Sequence, residues 1–363
     1  STVSLIIKNN LLNFSRKNLK AKILELLREK KDRVAAGAPE SEAYVSGQEL
    51  CEQFGVSRTA VWKAIGQLKK EGYVIEAVQN RGYRLLDQTE EVYNQADIQS
   101  RLKTKWVAHP LQFFDSIDST NIRAKLEAEQ GAESGLLVVS DMQSAGRGRR
   151  GRGWESPAGI NIYYTLMLKP DFSSDCAPML TLVMALAVAK GIRQTLRRDS
   201  EEAAAKVGIK WPNDIVVDGK KVCGILTEMS MEQGYIQHIV IGVGINVRKQ
   251  EFPEEIRDRA AAIDEQCGFR ISRSQLIADI MEAFEEDYEI FLRTHDLKGL
   301  RASYAELLVN QDREVCVLDP KGEYRGIARG INDQGELLVE RQDGTVEEVY
   351  AGEVSVRGIY GYV

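Results

Sequence analysis

Apolar residues in the first part of the chain recur with the period of an α-helix. In residues 18–30 they fall at every third or fourth position, and so lie on one helix face: Leu19, Ile23, Leu24, Leu26 and Leu27. A polar stretch rich in Ala, Gly and Pro (34–43) ends this helix and leads to the next. The pattern predicts an amphipathic helix that packs against further helices.

Cap signals then mark two short helices. Ser46 stands before residues 47–54 with Glu49 three positions later, in the order of a capping box, and Gly55 suits the left-handed residue that ends a helix. Ser57 caps a second helix that runs to about residue 71. Two helices joined by a short turn with glycine predict a helix-turn-helix.

Two short segments after this pair, 73–77 and 82–86, predict strands with Asn80, Arg81 and Gly82 at the turn. We interpret the order of elements as a winged helix-turn-helix. Its second helix and its wing would present five polar or basic side chains to DNA: Ser57, Arg58, Thr59, Lys63 and Arg81. The alternative is a helical hairpin that only packs, with its basic residues solvated.

The rest of the chain alternates between buried segments and loops. Apolar runs predict strands at 134–140, 159–168, 209–217 and 239–247, and Asp218-Gly219 predicts a hairpin turn. The most apolar run, 179–189, is well short of the roughly 20 residues of a membrane span and predicts a buried helix.

Composition and charge narrow the class of protein. The hydrophobic fraction of 43% and the charged fraction of 28% are those of a globular chain. Five cysteines without a Cys-x-x-Cys pair argue for free thiols in a reducing compartment, and against a disulfide framework or a zinc site. Residues 16–86 carry 14 Lys or Arg against 9 Asp or Glu, whereas the whole chain has a net charge of −6. A basic head on an acidic body indicates that only the head meets nucleic acid.

One loop carries most of the candidate chemistry. Residues 146–151 satisfy G-x-G-x-x-G, but residues 153–159 contain Gly, Ser and Pro and cannot form the helix that a dinucleotide fingerprint requires. A dehydrogenase is thereby excluded. The loop instead threads arginines among glycines, which favours phosphate binding over a merely solvated basic loop or a nucleic-acid patch: Arg147, Arg149, Arg150 and Arg152.

Three further segments fit a site for a small polar ligand. Residues 118–121 (Asp-Ser-Thr-Asn) precede a predicted helix and offer hydroxyls and amides, although plain helix capping is the alternative. Residues 210–214 (Lys-Trp-Pro-Asn-Asp) lie between two apolar strands, and residues 242–246 (Gly-Val-Gly-Ile-Asn) end another strand.

In this order and spacing, residues 118–121, 143–152, 210–214 and 242–246 strongly resemble the motifs of the biotin protein ligases. The winged head is similar to that of the bifunctional members that also repress the biotin operon. The resemblance covers roughly residue 18 to the C-terminus. The long stretch between the first two helices and residues 1–15 depart from it, which leaves the operator geometry open.

The resemblance implies a mixed α/β (α+β) architecture. It consists of an N-terminal winged helix-turn-helix, a central mixed-sheet ligase domain and a small C-terminal SH3-like β-barrel with strands near 314–317, 324–331, 337–341 and 345–350. The implied bounds are a tail at 1–15, the head at 16–90, the catalytic domain at 95–310 and the barrel at 311–363.

The resemblance also implies the site residues. Biotin would be held by Ser119, Thr120, Asn121, Gln143, Arg147, Gly148, Arg149 and Lys210. The nucleotide would be held by Arg147, Arg149, Arg152, Trp154, Asn213, Asn246 and Arg357. Lys210 and Arg149 would be catalytic, and Asp214 is a candidate proton acceptor.

The implied reaction joins biotin and ATP into biotinoyl-5′-AMP and then transfers biotin to a lysine of the biotin carboxyl carrier protein of acetyl-CoA carboxylase. Mg²⁺ would arrive with ATP, and no metal site of the chain itself is expected. We further expect a cytoplasmic homodimer that binds operator DNA and no membrane. The alternatives are a lipoate or other carboxylate-activating transferase of the same fold, and a ligand-sensing repressor without enzymatic activity.

Overall fold

The structure is a computed structural model that describes residues 18–319, 322–350 and 355–358, without the side chains of Arg150, Ser355, Arg357 and Gly358. The predicted tail, 1–15, lies outside the described residues. Contacts divide the chain into two units, Ser1–Lys105 and Trp106–Val363, which are treated separately below.

The first unit is a winged helix-turn-helix, as predicted. Its elements are α1 (Leu19–Ala35), α2 (Gly47–Phe54), α3 (Arg58–Lys70), β1 (Ile75–Val78), β2 (Gly82–Leu85) and α4 (Gln95–Arg101). Ser46 Oγ accepts from the Glu49 amide at 3.0 Å, and Ser57 Oγ accepts from the Ala60 amide at 3.2 Å. Gly55 ends α2 in the left-handed conformation with φ of 65°. The local signals therefore define the boundaries of this motif.

Helix α4 belongs to the head, although the implied domain bounds assigned residues from 95 onward to the catalytic domain. Ala96 joins the apolar core that α1 and α3 build. The buried carboxylate of Asp97 accepts from Tyr73 Oη at 3.0 Å and pairs with Arg28 of α1. The cationic partner and the hydrogen bonds offset the cost of desolvating this carboxylate, so this network holds α4 on the head.

The second unit contains a seven-stranded mixed sheet with the strand order β3-β4-β5-β9-β8-β7-β6. Strands β3 and β4 are parallel, and all other neighbours are antiparallel. Asp218 and Gly219 both have positive φ at the predicted turn between β7 and β8. The strands are β3 (Leu111–Phe114), β4 (Leu136–Ser140), β5 (Ile162–Leu168), β6 (Val207–Lys210), β7 (Asp214–Val217), β8 (Lys220–Glu232) and β9 (Tyr235–Ile245).

In the described part of this unit, six α-helices accompany the sheet: α5 (Thr120–Glu129), α6 (Met179–Arg197), α7 (Glu201–Ala205), α8 (Ile263–Cys267), α9 (Arg273–Phe291) and α10 (Arg301–Leu307). Helix α6 packs on α9. A Cβ on Gly191 of α6 would lie 2.5 Å from Ile280 Cγ1, so there is no room for a side chain at this position. By length and composition α6 could cross a membrane, but 72% of its most apolar window is buried inside the protein. It is the buried core helix that its sequence predicts.

The C-terminal strands form a separate five-stranded antiparallel sheet with the order β13-β12-β11-β10-β14. Their bounds are β10 (Glu314–Leu318), β11 (Tyr324–Ile331), β12 (Leu337–Glu340), β13 (Val346–Val349) and β14 (Ser355–Gly358). Closure of this sheet into an SH3-like barrel stays a prediction. Trp211 ties the sheet to the body because its Nε1 donates to the Gly335 carbonyl at 3.0 Å.

Candidate functional site

A cavity of about 330 Å³ opens in the second unit and collects the predicted ligand-binding residues. Twelve of them line it: Ser119, Thr120, Asn121, Gln143, Arg147, Gly148, Arg149, Arg152, Trp154, Lys210, Asn213 and Asn246. Arg357 lies in β14 opposite Cys316, and its side chain is outside the described part of the structure. Segments separated by more than a hundred residues in sequence thus meet around one space.

One end of the cavity is polar and buried, at the start of α5. Ser119 occupies the N-cap position but makes no side-chain cap. Gln143 replaces it, because its Oε1 accepts from the Thr120 amide at 2.8 Å and its Nε2 donates to Ser156 Oγ at 3.0 Å. The capping alternative for residues 118–121 therefore does not describe the Ser119 side chain, and this residue lines the cavity.

The orientation of the Asn121 amide in this polar end is fixed from both sides. Its Oδ1 accepts from Thr165 Oγ1 at 2.6 Å, and its Nδ2 donates to Glu228 Oε2 at 2.7 Å. Burial acts to raise the pKa of Glu228, but hydrogen bonds from Lys125 and Asn121 outweigh it, so the pKa is lowered overall. A Cβ on Gly242 would lie 2.1 Å from Asn121 Oδ1, so glycine is required there.

The arginine loop forms the other end of the cavity. It contains a single turn of 3₁₀-helix at Arg149–Gly151 and no α-helix, which confirms that it is not a dinucleotide fingerprint. The loop closes on itself through bonds from the Gly148 amide to the Arg152 carbonyl at 2.8 Å and from the Trp154 amide to the Gly146 carbonyl at 3.0 Å. The side chains of Arg147 and Arg152 are exposed.

Among the arginine side chains of this loop that the structure describes, Arg149 is held by a hydrogen bond to a residue outside the loop. Its Nη1 donates to Asn213 Oδ1 at 2.8 Å, and Asn213 Nδ2 donates to the Ile225 carbonyl at 3.1 Å. This chain of hydrogen bonds links the loop to the turn that follows Lys210. The Arg149 guanidinium is held by the Asn213 side-chain amide at the cavity wall, and is thereby preorganised for an anionic ligand.

Trp154 rests on two glycines of the sheet. A Cβ on Gly224 would lie 2.9 Å from Trp154 Cζ3, and a Cβ on Gly244 would lie 2.5 Å from its Nε1. Lys221 Nζ lies 5.5 Å from the indole centroid and 2.6 Å from Asp214 Oδ1. The indole therefore forms an apolar wall with a paired cation beside it.

Neighbouring side chains at the turn between β6 and β7 point in different directions, one to the cavity and one to the C-terminal sheet. Lys210 ends β6 opposite Asp214, lines the cavity and is only 6% exposed. Trp211 is 1% exposed and points to the C-terminal sheet instead. The buried indole anchors the turn, so that Lys210 and Asn213 are held at the cavity wall.

The predicted DNA-contacting residues are all exposed on the head: Ser57, Arg58, Thr59, Lys63 and Arg81. The opposite face of α3 is buried through Val61, Ala64, Ile65 and Leu68. Arg58 donates to Gln48 Oε1 at 2.8 Å, and the Arg81 guanidinium lies 5.6 Å from the Tyr44 ring centroid. Helix α3 therefore presents its polar face to solvent, as a recognition helix must.

Comparison with known proteins assigns each part of this architecture. Residues 40–84 match the HTH domain, residues 113–246 the Biotin/lipoate A/B protein ligase family and residues 312–357 the biotin protein ligase C terminal domain. The chain is 37% identical over 331 residues to the bifunctional ligase/repressor BirA of Bacillus spizizenii, covering 90% of this chain and 98% of that relative. It belongs to the biotin protein ligase family.

Two further members of the family extend the comparison. The bifunctional ligase/repressor BirA of Escherichia coli is 32% identical over 312 residues, 86% of this chain and 92% of that protein. The biotin protein ligase of Aquifex aeolicus, solved in complex with biotin and ATP, is 29% identical with a TM-score of 0.58. It covers 68% of this chain and 98% of its own. The predicted resemblance and the predicted order of domains are confirmed.

This ligase-family cavity also contains residues that no motif predicted. Ile256, Arg259 and Ala260 line it from the segment after β9. The Lys221 amide donates to the Arg259 carbonyl at 2.7 Å, which adds this segment to the start of β8. Leu318 and Val356 contribute from the C-terminal sheet. The signal that was available is a cation, Arg259, shortly after a predicted site strand, but only the long-range pairing brings it to the cavity.

Proposed function

We propose that this chain activates biotin with ATP to biotinoyl-5′-AMP, transfers biotin to a lysine of the biotin carboxyl carrier protein, and represses transcription through its head. The observation that carries the proposal is the meeting of four separate motifs around one cavity. A hydrogen-bonded polar end, an apolar wall and an arginine loop follow one another there, as a ligand with a polar ring, an aliphatic chain and a nucleotide requires.

The polar end suits the ureido ring of biotin. A urea has one acceptor oxygen and two N–H donors, and Ser119, Thr120, Asn121 and Gln143 supply hydroxyls and amides of both kinds. Thr120 is already bound to Gln143 and Asn121 to Thr165, so these side chains lose little entropy when the ligand arrives. Biotin enters with its ring here and its carboxylate toward Lys210.

The cations suit the first chemical step. A biotin carboxylate oxygen attacks the α-phosphorus of ATP, and the bond to the pyrophosphate oxygen breaks. Negative charge accumulates on the phosphates during this step, so its stabilisation by fixed cations is the main contribution to catalysis. We assign Lys210 to the carboxylate and the acyl phosphate, Arg149 and Arg147 to both ligands, and Arg152 with Asn213, Asn246 and Arg357 to the nucleotide.

Mg²⁺ belongs to this step as a companion of the ATP phosphates. Among the described residues no group of three His, Cys, Asp or Glu side chains could hold a metal ion. Asp214 is the carboxylate at the described cavity wall, and it is paired with Lys221. The donor set therefore fits a metal carried in by the nucleotide rather than one held by a protein cage.

The second step transfers biotin to the carrier. The neutral lysine amine attacks the carbonyl carbon of the mixed anhydride, the bond to the phosphate oxygen breaks, and AMP leaves with its electron pair. The amine loses a proton, for which Asp214 is the candidate acceptor because it lies at the cavity wall opposite Lys210 in the pairing of β6 with β7.

The repressor activity requires two heads. One recognition helix makes few base contacts, so operator affinity depends on a homodimer that occupies two half-sites. We infer that adenylate orders the arginine loop and thereby favours the dimer by linkage. Sedimentation with and without biotin plus ATP tests this, and an unchanged dimer population would contradict it.

The five free thiols support a cytoplasmic location.

ATP–pyrophosphate exchange tests the enzymatic proposal most directly. Exchange that depends on biotin, and is not supported by lipoate, is expected. Exchange with lipoate instead would make the chain a lipoate transferase, and no exchange with either acid would leave a ligand-sensing repressor. Transfer of labelled biotin to a carrier protein then tests the second step.

A further inference from the structure

Trp62 is the exception among the four tryptophans of the chain. Its side chain is 69% exposed, whereas Trp211 is buried and Trp106 and Trp154 are half-buried. A single exposed apolar side chain is ordinary on a protein surface. What distinguishes Trp62 is its position in α3, one helical turn after Arg58 and directly before Lys63.

Gly66 is a half-buried residue of α3 beside the Trp62 and Lys63 side chains. It follows Trp62 by four residues and Lys63 by three, which makes it a surface neighbour of both. Glycine in a helix interior is less stable than alanine. At Gly242 and Gly244 an added Cβ would clash, but at Gly66 it would meet nothing within 4 Å. No contact within the described chain therefore requires glycine at this position.

We propose that Trp62 and Gly66 are DNA-contacting residues, in addition to the polar set on α3. Trp62 supplies an apolar contact to base edges such as thymine methyl groups, and Gly66 lets the wall of the groove approach the helix backbone. The inference rests on the proposed repressor function. Duplex DNA is the occupant because the surrounding charge is positive: Arg58 and Lys63 flank the indole, and residues 16–86 carry a basic excess.

This assignment divides α3 by the kind of contact. Lys63 acts on phosphates, which contribute affinity for any sequence and release counterions. Trp62 acts on base edges, which contribute discrimination. The two residues are neighbours in sequence and both side chains are exposed, so α3 carries both kinds of contact, and the variants below separate them.

The test uses the full-length chain with biotin and ATP. The probe is the duplex that the wild-type chain selects from a random-sequence library, with an unselected duplex as reference. Trp62→Ala is expected to lower affinity for the selected duplex about tenfold or more, with little change for the reference duplex. The slope of log affinity against log salt stays unchanged, whereas Lys63→Ala lowers affinity for both duplexes and reduces the slope by about one.

Gly66→Ala is a second, independent test, because it is expected to raise the stability of α3 and to lower its affinity for DNA. Amide hydrogen exchange across α3 is expected to slow, because alanine stabilises the helix, while affinity for the selected duplex falls several-fold. Tyr235→Ala is the matched control, since this aromatic side chain is 79% exposed in the other unit and should leave DNA binding unchanged. Circular dichroism checks that each variant is folded.

The outcomes separate the inference from the proposed function. If the wild-type chain enriches no sequence, the repressor function fails and the inference fails with it. If it enriches one and Trp62→Ala binds that duplex with wild-type affinity, the inference alone is overturned. A Gly66→Ala variant that is more stable and binds equally well would remove Gly66 from the DNA surface.

Discussion

The two ends of the cavity differ in how far they are built before a ligand arrives. At the polar end Ser119, Thr120 and Asn121 are 2%, 3% and 5% exposed, and hydrogen bonds to Gln143 and Glu228 hold Thr120 and Asn121 in place. At the other end Arg147 and Arg152 are exposed on a loop that bonds mainly to itself. The first end is a preformed pocket. At the second end, the exposed arginine side chains become ordered only when a ligand binds.

This difference indicates an order of events. A preformed pocket binds its ligand without a large ordering cost, whereas an exposed arginine loses side-chain entropy when it closes on a phosphate. Biotin therefore binds first in our proposal, and its carboxylate at Lys210 completes the surface that receives ATP. Variants at the two ends should accordingly affect different ligands.

The largest effect is expected where the two ends meet. Lys210→Ala should lower ATP–pyrophosphate exchange roughly a hundredfold or more, because loss of one preorganised charge contact typically costs about 3 kcal/mol in the transition state. Lys206→Ala, an exposed lysine just before β6, is the matched control and should exchange normally. Wild-type exchange by Lys210→Ala would remove Lys210 from the chemistry.

Arginine-to-lysine changes at the phosphate end come next. Arg149→Lys and Arg152→Lys should each lower ATP affinity about tenfold and shorten adenylate retention, because lysine keeps the charge but loses the two-pronged contact. Arg149→Lys also loses the bond to Asn213 and should be the more severe. Calorimetric titration with ATP measures this, with Arg197→Lys on α6 as control. Unaltered affinity and retention in both variants would show that these arginines are solvated bystanders.

Two glycines on β9 allow the ends to be perturbed separately. Gly242→Ala should displace Asn121 and raise the KM for biotin roughly tenfold, in line with an overpacking cost of about 1–3 kcal/mol. Gly244→Ala should displace Trp154 and raise the KM for ATP by a similar factor. Steady-state exchange with each ligand varied in turn distinguishes them. If both variants changed the same KM, the two ends would not act separately.

The smallest effect concerns Glu228 and pH. Its pKa is lowered in the folded chain, so its contribution to stability is present above its unfolded pKa and is lost as the pH falls through the lower folded value. The KM for biotin should therefore stay constant from neutral pH down to about pH 5. Glu228→Gln should raise it several-fold at neutral pH through loss of the Lys125 pair and leave the KM for ATP unchanged. A biotin KM that rises between pH 7 and 6 in the wild type would contradict this.

The head was predictable because its signals are local. Ser46, Ser57 and Gly55 act on backbone groups within four residues, so their effect does not depend on the rest of the fold. The place of helix α4 on the head could not be predicted from such local signals. Its place on the head depends on the contact of Asp97 with Arg28, which is 69 residues away.

The candidate site was predictable as a set of motifs and not as a geometry. The glycine and arginine pattern of 146–152 favoured a phosphate-binding loop, and the order of the motifs led to the family. The role of Gln143 as the acceptor for the Thr120 amide, and the entry of Arg259 into the cavity wall, are long-range events. They depend on which strands pair, and side-chain periodicity carries no information about that.

The anchoring of Trp211 bears on how an active molecule is made. Chains are synthesised from the N-terminus, and the acceptor of the Trp211 indole, the carbonyl of Gly335, comes 124 residues later. Until that residue has left the ribosome, the turn beside Lys210 lacks its anchor, although every motif of the cavity wall up to Asn246 has already been translated. We therefore expect competence to use ATP to be acquired only near the end of synthesis, when the C-terminal sheet can anchor this turn.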